Sequence, residues 1–244
     1  MEAPRPDSQQ VSQALMGEAA DILEEAGEWV RLRLAHDGYE GFAPAAMVGI
    51  AGPAPTHTPV FPRTLVFPRP DIKSAPARPL FMGSPVAAAS CDGRFLRLHE
   101  AHGGGYVMAS HMRPLSSPMT DAAAVAEMFI HAPYLWGGRT VAGIDCSGLV
   151  QMALSMSGHE GIPRDSVPQA ASIGAPLPVE LAGGGNLRRG DLIFWKGHVA
   201  MMLDGERMIH ANGHHMRVVA EPLRTAMQRI ADQGGGPVTA IRRP

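Results

Sequence analysis

A single cysteine at the start of a predicted helix is the feature that most constrains what this chain folds into. Cys146 follows a loop that contains Gly137 and Gly138, and residues 146–157 form a predicted helix that Gly158 ends. The helix is expected to be largely buried through its apolar positions, Leu149, Val150, Ala153, Leu154 and Met156. Unpaired backbone N–H groups and the positive end of the helix dipole favour a thiolate at such a position. The pattern predicts a reactive thiol, although taken alone it fits a small buried apolar residue equally well.

Two downstream histidines favour the reactive thiol. His198 and His210 lie in predicted strands on either side of Asp204-Gly205, a dipeptide typical of hairpin turns. Strand pairing about that turn places His198 opposite Ala211 and next to His210. Neighbours across a strand pair lie roughly 5 Å apart at Cβ, close enough for one imidazole to hydrogen-bond to the other. The chain thus supplies a nucleophile, a base and an orienting group, as in a catalytic triad.

The alternative role for these histidines is metal binding, together with His214 and His215. A structural zinc site generally has four nitrogen or sulfur ligands at short spacings, and the chain has no Cys-x-x-Cys motif. We therefore expect no metal and no other cofactor. His159, His214 and His215 are expected to be solvent-exposed bystanders.

Composition and charge exclude several function classes. The net charge is −2, and no basic stripe offers a surface for nucleic acid or an anionic membrane. The longest apolar runs, such as residues 194–203, are too short to span a bilayer. The expected partner is a small substrate, with neither nucleic acid nor membrane, and no obligate protein partner is indicated.

The two cysteines, Cys91 and Cys146, are expected to be free thiols, because a disulfide between them would consume the candidate nucleophile. Free thiols suit a reducing compartment. Cys91 is expected to pack in a core. The polar N-terminus lacks a basic region followed by an apolar one, so no secretory signal is expected. These features predict a cytoplasmic location unless a leader was removed from the chain.

Composition divides the chain into three regions. Residues 8–50 and 59–116 both contain short alternating strands and glycine turns, and the segment 51–59, rich in Pro, Ala, Gly and Thr, is predicted to link them. The two regions are loosely similar, so each is expected to be a small all-β module. Residues 119–244 combine helical and strand patterns, which makes the expected fold class α+β.

The individual elements follow from local patterns. Strands are predicted at residues 27–34, 39–43, 95–99 and 106–109 of the N-terminal part. In the C-terminal region, Thr120 or Asp121 is expected to cap a helix that runs to Ile130. Further strands are predicted at residues 191–195, 198–203, 208–211, 217–220 and 238–242.

Five motifs of the C-terminal region occur together in a known family. They are Tyr134-x-Trp-Gly-Gly, Gly143-x-Asp-Cys-Ser-Gly-Leu-Val-Gln, Pro163-Arg-Asp-Ser-x-x-Gln, Gly190-Asp-Leu-Ile-Phe-Trp-x-Gly-His-Val-Ala-Met and Ile209-His-Ala. In order and spacing they resemble the NlpC-type cysteine peptidases, papain-like enzymes that cut bacterial cell-wall peptides. The resemblance covers about residues 119–244 and implies a papain-like catalytic domain there.

The resemblance implies a role for each matching residue. Cys146 is the nucleophile, His198 the base and His210 the third, orienting residue. Tyr134 reaches toward the cysteine and the carbonyl under attack. The backbone N–H of Cys146 is suited to stabilise the oxyanion, because it is unpaired at a helix start.

The N-terminal modules resemble bacterial SH3-like domains, clearly in the first module and faintly in the second. The resembling pieces are Gly17-Glu, Gly27-Glu-Trp-Val and Asp37-Gly-Tyr. Two small SH3-like barrels before an NlpC-type domain are the layout of the γ-D-glutamyl-L-diamino acid endopeptidases. That likeness implies that the first module closes one end of the cleft and recognises a free N-terminal L-alanine. The expected substrate is a soluble murein (peptidoglycan) stem peptide, cut through a Cys146 thioester during murein recycling.

Recognition of a free amino group requires particular side chains. A buried ammonium needs a carboxylate, and an aromatic ring can cover it and shape the pocket. Glu18 and Tyr39 are the candidates, with Glu40 as a rival for Glu18. Glu18 also fits a turn carboxylate, and Tyr39 also fits the core of the first module.

The D-glutamyl carboxylate of the substrate must also be held. Asp145, Ser147 and Ser166 lie where the family lines its binding site, with Arg139 or Arg164 as candidate charge partners. Asp145 also suits the N-cap of the predicted helix. Two tryptophans are expected to pack rather than to bind sugar, because each lies in an apolar motif; they are Trp136 and Trp195.

Three other functions fit the same residues. An exported hydrolase that acts on intact peptidoglycan would use the same catalytic set. A catalytically silent protein would bind wall peptides without turnover, although the intact set of Cys146, His198 and His210 argues against it. Acyl or amide transfer would result if an amine replaced water at the thioester.

Overall fold

The computed structural model describes residues 1–244, which divide into two compact units, Met1–Pro118 and Met119–Pro244. The first unit is all-β apart from short 3-10 turns, and the second combines helices with one large sheet. The expected fold class, α+β with an all-β N-terminal part, is confirmed. No helix combines the length and the apolar character that a bilayer crossing requires.

The first module is a three-stranded antiparallel meander. Its strands are β1 (Ala20–Ala26), β2 (Trp29–Leu34) and β3 (Glu40–Pro44), with β2 in the middle. Buried apolar residues alternate with exposed ones along β2, so Val30, Leu32 and Leu34 form a small core. The strands predicted at 27–34 and 39–43 are confirmed. The sequence pattern does not predict β1, because most of its residues are exposed.

The second module consists of seven short antiparallel strands. They are β4 (His57–Pro59), β5 (Arg63–Val66), β6 (Arg78–Phe81), β7 (Ala88–Ser90), β8 (Phe95–Leu98), β9 (Tyr106–Met108) and β10 (Met112–Pro114). β8 and β9 confirm the strands predicted at 95–99 and 106–109. β4 falls inside the predicted linker 51–59, because its backbone pairs with β10 and closes the module. The core contains Val66, Leu80, Val86, Leu98, Val107 and Met112.

The second unit carries a six-stranded antiparallel sheet. Its strands are β13 (Ala175–Leu177), β14 (Leu192–Trp195), β15 (His198–Met202), β16 (Arg207–Asn212), β17 (Arg217–Pro222) and β18 (Ala240–Arg243), in the order β13-β18-β14-β15-β16-β17. A separate pair of short strands precedes Cys146; these are β11 (Arg139–Thr140) and β12 (Gly143–Ile144). All five strands predicted in this region are confirmed, with ends that differ by no more than two residues.

Four helices accompany the sheet. They are α1 (Ala122–Glu127), α2 (Cys146–Met156), α3 (Ser166–Ser172) and α4 (Leu223–Asp232). Asp121 caps α1 by accepting the Ala124 N–H at 3.1 Å, and the helix ends earlier than the predicted Ile130. Gly158, with a φ of 88°, follows the end of α2 as predicted. The sequence patterns do not single out α3 or α4.

Helix α4 covers one face of the sheet. Its buried residues Leu223 and Ala226 pack with Ile193, Ala200 and Met208 from three strands. Helix α2 instead packs against β15 and β16. Since α2 begins with Cys146 and β15 begins with a histidine, this packing decides which functional side chains meet.

The hairpin between β15 and β16 corrects the predicted register by one residue. Met201 pairs with Ile209 and Met202 with Met208, so the turn is longer than the dipeptide Asp204-Gly205. Continued along β15, this register places His198 opposite Asn212 instead of Ala211. A shift of one residue moves a side chain to the other face of a strand. The observed register therefore places His198 and His210 on the same face, diagonal to each other.

Replacing Gly148 by alanine tests how tightly α2 lies against the loop before Cys146. In most helices a Gly-to-Ala change stabilises by about 1 kcal/mol. A Cβ on Gly148 would instead lie 2.4 Å from the Gly138 carbonyl oxygen and 2.9 Å from Asp145 Oδ1. We expect Gly148→Ala to lower the free energy of unfolding by about 1–3 kcal/mol in urea denaturation. Gly183→Ala is the control, because no atom lies within 4 Å of its added Cβ; equal stability of both variants would contradict the prediction.

Candidate active site

The carboxylate of Asp145 joins the loop before Cys146 to the first turn of α2. Oδ1 accepts the Gly148 N–H at 2.7 Å, which makes Asp145 the N-cap of the helix. Oδ2 accepts the Gly137 N–H at 2.8 Å. The prediction that Asp145 caps α2 is confirmed, and Cys146 is the first helical residue.

Arg164 completes this buried network. Its guanidinium forms a bidentate ion pair with Asp145, with N···O distances of 2.9 and 2.6 Å. It also donates to Ser147 Oγ at 3.0 Å, and its side chain is only 1% exposed. Arg139 is buried as well and donates to Gln151 Oε1 at 3.0 Å. Neither arginine is exposed as a charge partner for a substrate carboxylate, contrary to the expectation.

Ser147 and Ser166, two of the predicted substrate-binding residues, differ in exposure. Ser147 is buried, and its hydroxyl donates to Asp145 Oδ1 at 3.3 Å. Ser166 is half-buried and is the first residue of α3. Gln169 donates to the carbonyls of Ser147 and Pro163 at 3.0 and 2.8 Å, which ties α3 to the first turn of α2. Asp145 and Ser147 thus use their oxygens for internal bonds, and Ser166 is the more accessible of the candidates.

The Cys146 thiol is buried beside strand β15. The residue is 8% exposed, and its sulfur accepts hydrogen bonds from the backbone N–H groups of Val199 and Ser147. Burial raises the pKa of Cys146 to about 11, and the charge of Asp145 adds to the rise. The two N–H groups and Arg164 oppose this rise without cancelling it. The helix start alone therefore does not set the pKa of Cys146, because burial opposes formation of the thiolate.

The hydrogen bond from the Val199 N–H brings the Cys146 thiol to the start of β15, where His198 is the preceding residue and the first of the strand. Its Nε2 lies 2.8 Å from Nδ1 of His210 on β16. The predicted neighbour relation of the two histidines is confirmed. Because Nε2 of His198 is engaged in this bond, Nδ1 remains as the nitrogen that can take a proton from Cys146.

Burial also decides the charge of the two histidines. It lowers the pKa of His198 to about 3, with repulsion from His210 and Arg229 acting in the same direction and Glu221 against it. Burial lowers the pKa of His210 as well, and the hydrogen bond to Glu221 opposes that shift. At neutral pH the resting pair is therefore a thiol, on Cys146, and a neutral imidazole.

The histidine chain continues to an acidic residue that the sequence reasoning missed. Nε2 of His210 lies 2.7 Å from Oε1 of Glu221 and 2.9 Å from Nδ2 of Asn212. Glu221 also forms an ion pair with Arg229 of α4. Burial raises the pKa of Glu221, but the hydrogen bonds from His210 and Arg229 lower it to about 2. The series of side chains that runs through His198 and His210 therefore ends at an ionised carboxylate, that of Glu221.

The pairing of β16 with β17 could have indicated Glu221 from the sequence. His210 pairs with Val219 across β16 and β17, and Met208 pairs with Glu221. Glu221 consequently lies diagonal to His210 on the same face of the sheet. The strand predicted at 217–220 ends one residue too early to include it.

Tyr134 lies within electrostatic reach of the thiol. It is half-buried, and burial first, then the charges of Cys146 and Asp145, raise its pKa to about 12. Its hydroxyl therefore keeps its proton at neutral pH and can donate a hydrogen bond.

The two tryptophans of the motifs behave differently. Trp195 is 3% exposed, which confirms that it packs, and its ring centroid lies 5.8 Å from that of His198. Trp136 is 57% exposed, so the prediction that it packs is wrong. Residues 134–136 form a loop between α1 and β11, so the apolar residues next to Trp136 in the sequence do not bury its ring.

In the first unit, Glu18 and the backbone N–H of Tyr39 belong to one cluster around His36. The Glu18 side chain is 7% exposed, accepts the Leu15 N–H at 2.8 Å and lies 3.6 Å from His36 Nδ1. His36 Nε2 lies 3.1 Å from Oδ2 of the buried Asp37, and Asp37 Oδ1 accepts the Tyr39 N–H at 2.9 Å. A carboxylate sheltered in this way suits a cationic partner.

The rival carboxylate, Glu40, is engaged elsewhere. It forms surface ion pairs with Arg31 and Arg33 at 2.8 and 2.6 Å. Its pKa is lowered, mainly by the hydrogen bond from Arg33. Glu18 is therefore the better candidate of the two for a substrate ammonium.

Metal binding has no structural support. No group of three or more His, Cys, Asp and Glu side chains is arranged to hold a metal ion. His159 and His214 are exposed as predicted, whereas His215 is half-buried and contacts the His214 ring edge-on at 4.7 Å between centroids. Both cysteines are free thiols as expected, but Cys91 is exposed and does not pack in a core.

Comparison with known families follows the division into units. Residues 131–231 match the NlpC/P60 family, and residues 1–47 match the bacterial dipeptidyl-peptidase SH3 domain. The two matches cover the candidate active site and the cluster around Glu18. They confirm the resemblance inferred from the sequence motifs for the C-terminal region and for the first module.

Two named relatives share parts of the chain. Dipeptidyl-peptidase 6 from Lysinibacillus sphaericus is 33% identical over 116 residues, which cover 44% of this chain and 41% of that protein. The γ-D-glutamyl-L-lysine dipeptidyl-peptidase from Bacillus subtilis is 28% identical over 220 residues, which cover 82% of this chain and 71% of that protein. The chain thus spans less than half the length of the first relative.

A crystal structure of an NlpC/P60 family protein from Bacillus cereus resembles this chain closely in fold. The TM-score is 0.80 at 24% identity, and the match covers 96% of this chain and 81% of that chain. This likeness establishes the fold, including the papain-like arrangement of the second unit.

The neutral resting pair predicts how the Cys146 thiol reacts with iodoacetamide. Since the thiol pKa is about 11, the thiolate fraction is small at pH 7 and grows as the pH rises. We expect the alkylation rate of Cys146 to increase about tenfold per pH unit between pH 7 and 9. At pH 7 the exposed Cys91 should react faster than Cys146 in the same sample, as followed by peptide-resolved mass spectrometry. A rate for Cys146 that is independent of pH would contradict the neutral pair and indicate a preformed thiolate–imidazolium pair.

Proposed function

Because the chain contains an NlpC/P60 domain preceded by a bacterial dipeptidyl-peptidase SH3 domain, we propose that it is a cysteine endopeptidase acting on peptidoglycan-derived peptides. The bond that it hydrolyses is the amide between the γ-carboxyl of D-glutamate and the L-diamino acid of a stem peptide. The name of the Bacillus subtilis relative, a γ-D-glutamyl-L-lysine dipeptidyl-peptidase, supports this choice of bond.

One observation carries the proposal: helix α2, which begins with Cys146, packs against strand β15, which begins with His198. The sulfur accepts the N–H of Val199, the residue that follows His198. His210 holds the far side of the His198 ring at 2.8 Å. A nucleophile, a base and an orienting residue in this order are the arrangement that acyl transfer requires.

The reaction proceeds in two steps on Cys146. Its sulfur attacks the γ-carbonyl carbon while the thiol proton moves to Nδ1 of His198. The C–N bond then breaks, the amine leaves with that proton, and a thioester remains. Water attacks the thioester with His198 again as base, which releases the dipeptide acid and restores the thiol.

Burial shapes the first step. A separate thiolate and a separate imidazolium are both unfavourable, since burial raises the pKa of Cys146 and lowers that of His198. The proton therefore moves as the sulfur–carbon bond forms, so that negative charge passes to the carbonyl oxygen. We assign the Cys146 backbone N–H and the Tyr134 hydroxyl as the donors that stabilise this oxyanion.

The substrate is proposed to be a peptide with a free N-terminal L-alanine. Its ammonium would pair with Glu18, whose carboxylate is sheltered beside His36, and Tyr39 would cover it. Ser166 is the accessible residue proposed to contact the D-glutamyl group, while Asp145 and Ser147 shape that end of the site through their internal bonds.

We place this activity in the cytoplasm, in murein recycling. Free amino ends of L-alanine arise when stem peptides have already been cut from glycan, which favours soluble fragments over the intact wall. The exposed free thiol of Cys91 suits a reducing compartment. An exported wall hydrolase is the competing setting, and recovery of the tagged full-length protein from the medium would favour it.

Cleavage of L-Ala-γ-D-Glu-L-diaminopimelate tests the proposal together with its substrate end. The enzyme is expected to release L-Ala-D-Glu and diaminopimelate, identified by mass spectrometry. Acetylating the N-terminus should slow cleavage about 100-fold, because the substrate loses the positive charge that Glu18 is proposed to bind. Cys146→Ala should release nothing.

The matched controls separate recognition from chemistry. Glu18→Gln should slow cleavage of the free peptide but leave that of the acetylated peptide unchanged, whereas Glu40→Gln should affect neither. Equal rates on the two peptides would remove Glu18 and Tyr39 from the site. If the wild type bound the peptide without cleaving it, the protein would be a wall-peptide-binding protein and not a peptidase.

A further inference from the structure

Beyond the triad, two residues of the second unit form a charged end to the histidine chain. Glu221 is the penultimate residue of strand β17, and Arg229 lies about two turns into α4. Both side chains are largely buried, with 13% and 16% exposed. They form an ion pair with each other, and the same Glu221 oxygen accepts from His210 Nε2. A buried pair of this kind is a fixed part of the structure rather than a mobile surface contact.

Nε2 of His210 has two competing neighbours. Glu221 Oε1 lies 2.7 Å away and can only accept a hydrogen bond, because the carboxylate is ionised. Asn212 Nδ2 lies 2.9 Å away and can only donate. The Asn212 amide cannot turn round, since its Oδ1 already accepts the His215 N–H at 2.8 Å. The partner that prevails decides whether Nε2 carries a hydrogen.

The ionised carboxylate prevails, because a charge-assisted bond is stronger than one between neutral groups. Nε2 of His210 then carries the hydrogen, and Nδ1 accepts. Across the 2.8 Å contact, His198 must donate from Nε2, which leaves a lone pair on its Nδ1. That lone pair is the one able to take the proton of Cys146. With Asn212 alone as neighbour, every hydrogen in the chain would reverse, and His198 would present an N–H to the thiol.

We propose that Glu221, anchored by Arg229, is a positioning residue that sets the tautomer of both histidines and thereby directs the basic nitrogen of His198 to Cys146. The inference rests on the proposed function in that the base serves the proposed cysteine peptidase. Arg229 has a second effect, since its charge would repel an imidazolium once Glu221 is removed. Glu221 and Arg229 therefore act as a unit.

Nitrogen-15 NMR of histidine-labelled free protein at pH 7 tests the tautomers without any substrate. Both rings are expected to carry hydrogen on Nε2 in the wild type, with His210→Gln used to identify their signals among the 11 histidines. In Glu221→Met the hydrogens should move to Nδ1 in both rings. A wild-type His210 protonated on Nδ1, or unchanged tautomers in Glu221→Met, would overturn the proposal.

Kinetics on the peptide substrate supply the second readout. Glu221→Met should lower kcat about 100-fold with little change in KM, because the base is misdirected while the binding site is intact. Adding Arg229→Met to it should recover part of kcat, since the unpaired guanidinium is removed. A double variant slower than the single one would indicate a merely structural ion pair and overturn the proposal. Glu206→Gln, an exposed carboxylate in the β15–β16 turn, is the control and should match the wild type.

Two further measurements apply if Glu221→Met does not fold or if the wild type cleaves no peptide. If Glu221→Met fails to fold, Glu221→Gln retains an acceptor oxygen at the same length, so both rings should keep hydrogen on Nε2 and kcat should stay within about tenfold of the wild type. Hydrogen on Nδ1 of both rings in Glu221→Gln, together with a kcat equal to that of the wild type, would overturn the proposal. If the wild type cleaves no peptide, the proposed function fails, but the NMR result still decides the tautomers.

Discussion

The position of the Cys146 thiol depends on one buried ion pair, between Asp145 and Arg164. The carboxylate caps α2 through Gly148, holds the preceding loop through Gly137, and receives both arms of the guanidinium. Breaking such a pair by removing one partner typically costs about 3–5 kcal/mol, because the remaining charge stays buried. The loop, the helix start and the motif that contains Arg164 are consequently one structural unit.

The same burial that fixes the thiol sets its chemistry. A helix start by itself would favour a thiolate, yet low solvent access shifts the pKa of Cys146 up and that of His198 down. Neither group charges alone at neutral pH, so the proposed reaction relies on proton transfer between them as the substrate is attacked. The tautomer of His198 then matters more than its affinity for a proton. In that respect the ionised Glu221 belongs to the reaction as much as His210 does.

The sequence allowed much of this site to be predicted, for identifiable reasons. The N-cap at Asp145, the helix from Cys146 and its end at Gly158 depend on local sequence, so a single sequence is enough to predict them. The strands around His198 and His210 follow from apolar runs bounded by turns. Their register was wrong by one residue, because the hairpin uses a longer loop than the Asp-Gly dipeptide suggests.

The remaining features depend on tertiary packing. Glu221 and Arg229 converge only because α4 folds back beside β17, which no local pattern encodes. Arg164 is charged and 19 residues from its partner, so its complete burial was not foreseen. Trp136 was assigned to packing because of its apolar motif and Cys91 because no other role was found, and both are exposed.

The central claim is that Cys146 forms a covalent thioester with the γ-D-glutamyl group. It is tested most directly by acid quench of the enzyme with L-Ala-γ-D-Glu-L-diaminopimelate within the first turnover, followed by mass spectrometry of the digested protein. We predict that the peptide containing Cys146 gains the mass of the L-Ala-D-Glu acyl group and that hydroxylamine removes it. Peptide cleavage without such an adduct on Cys146, or with the acyl group on another residue, would contradict the account.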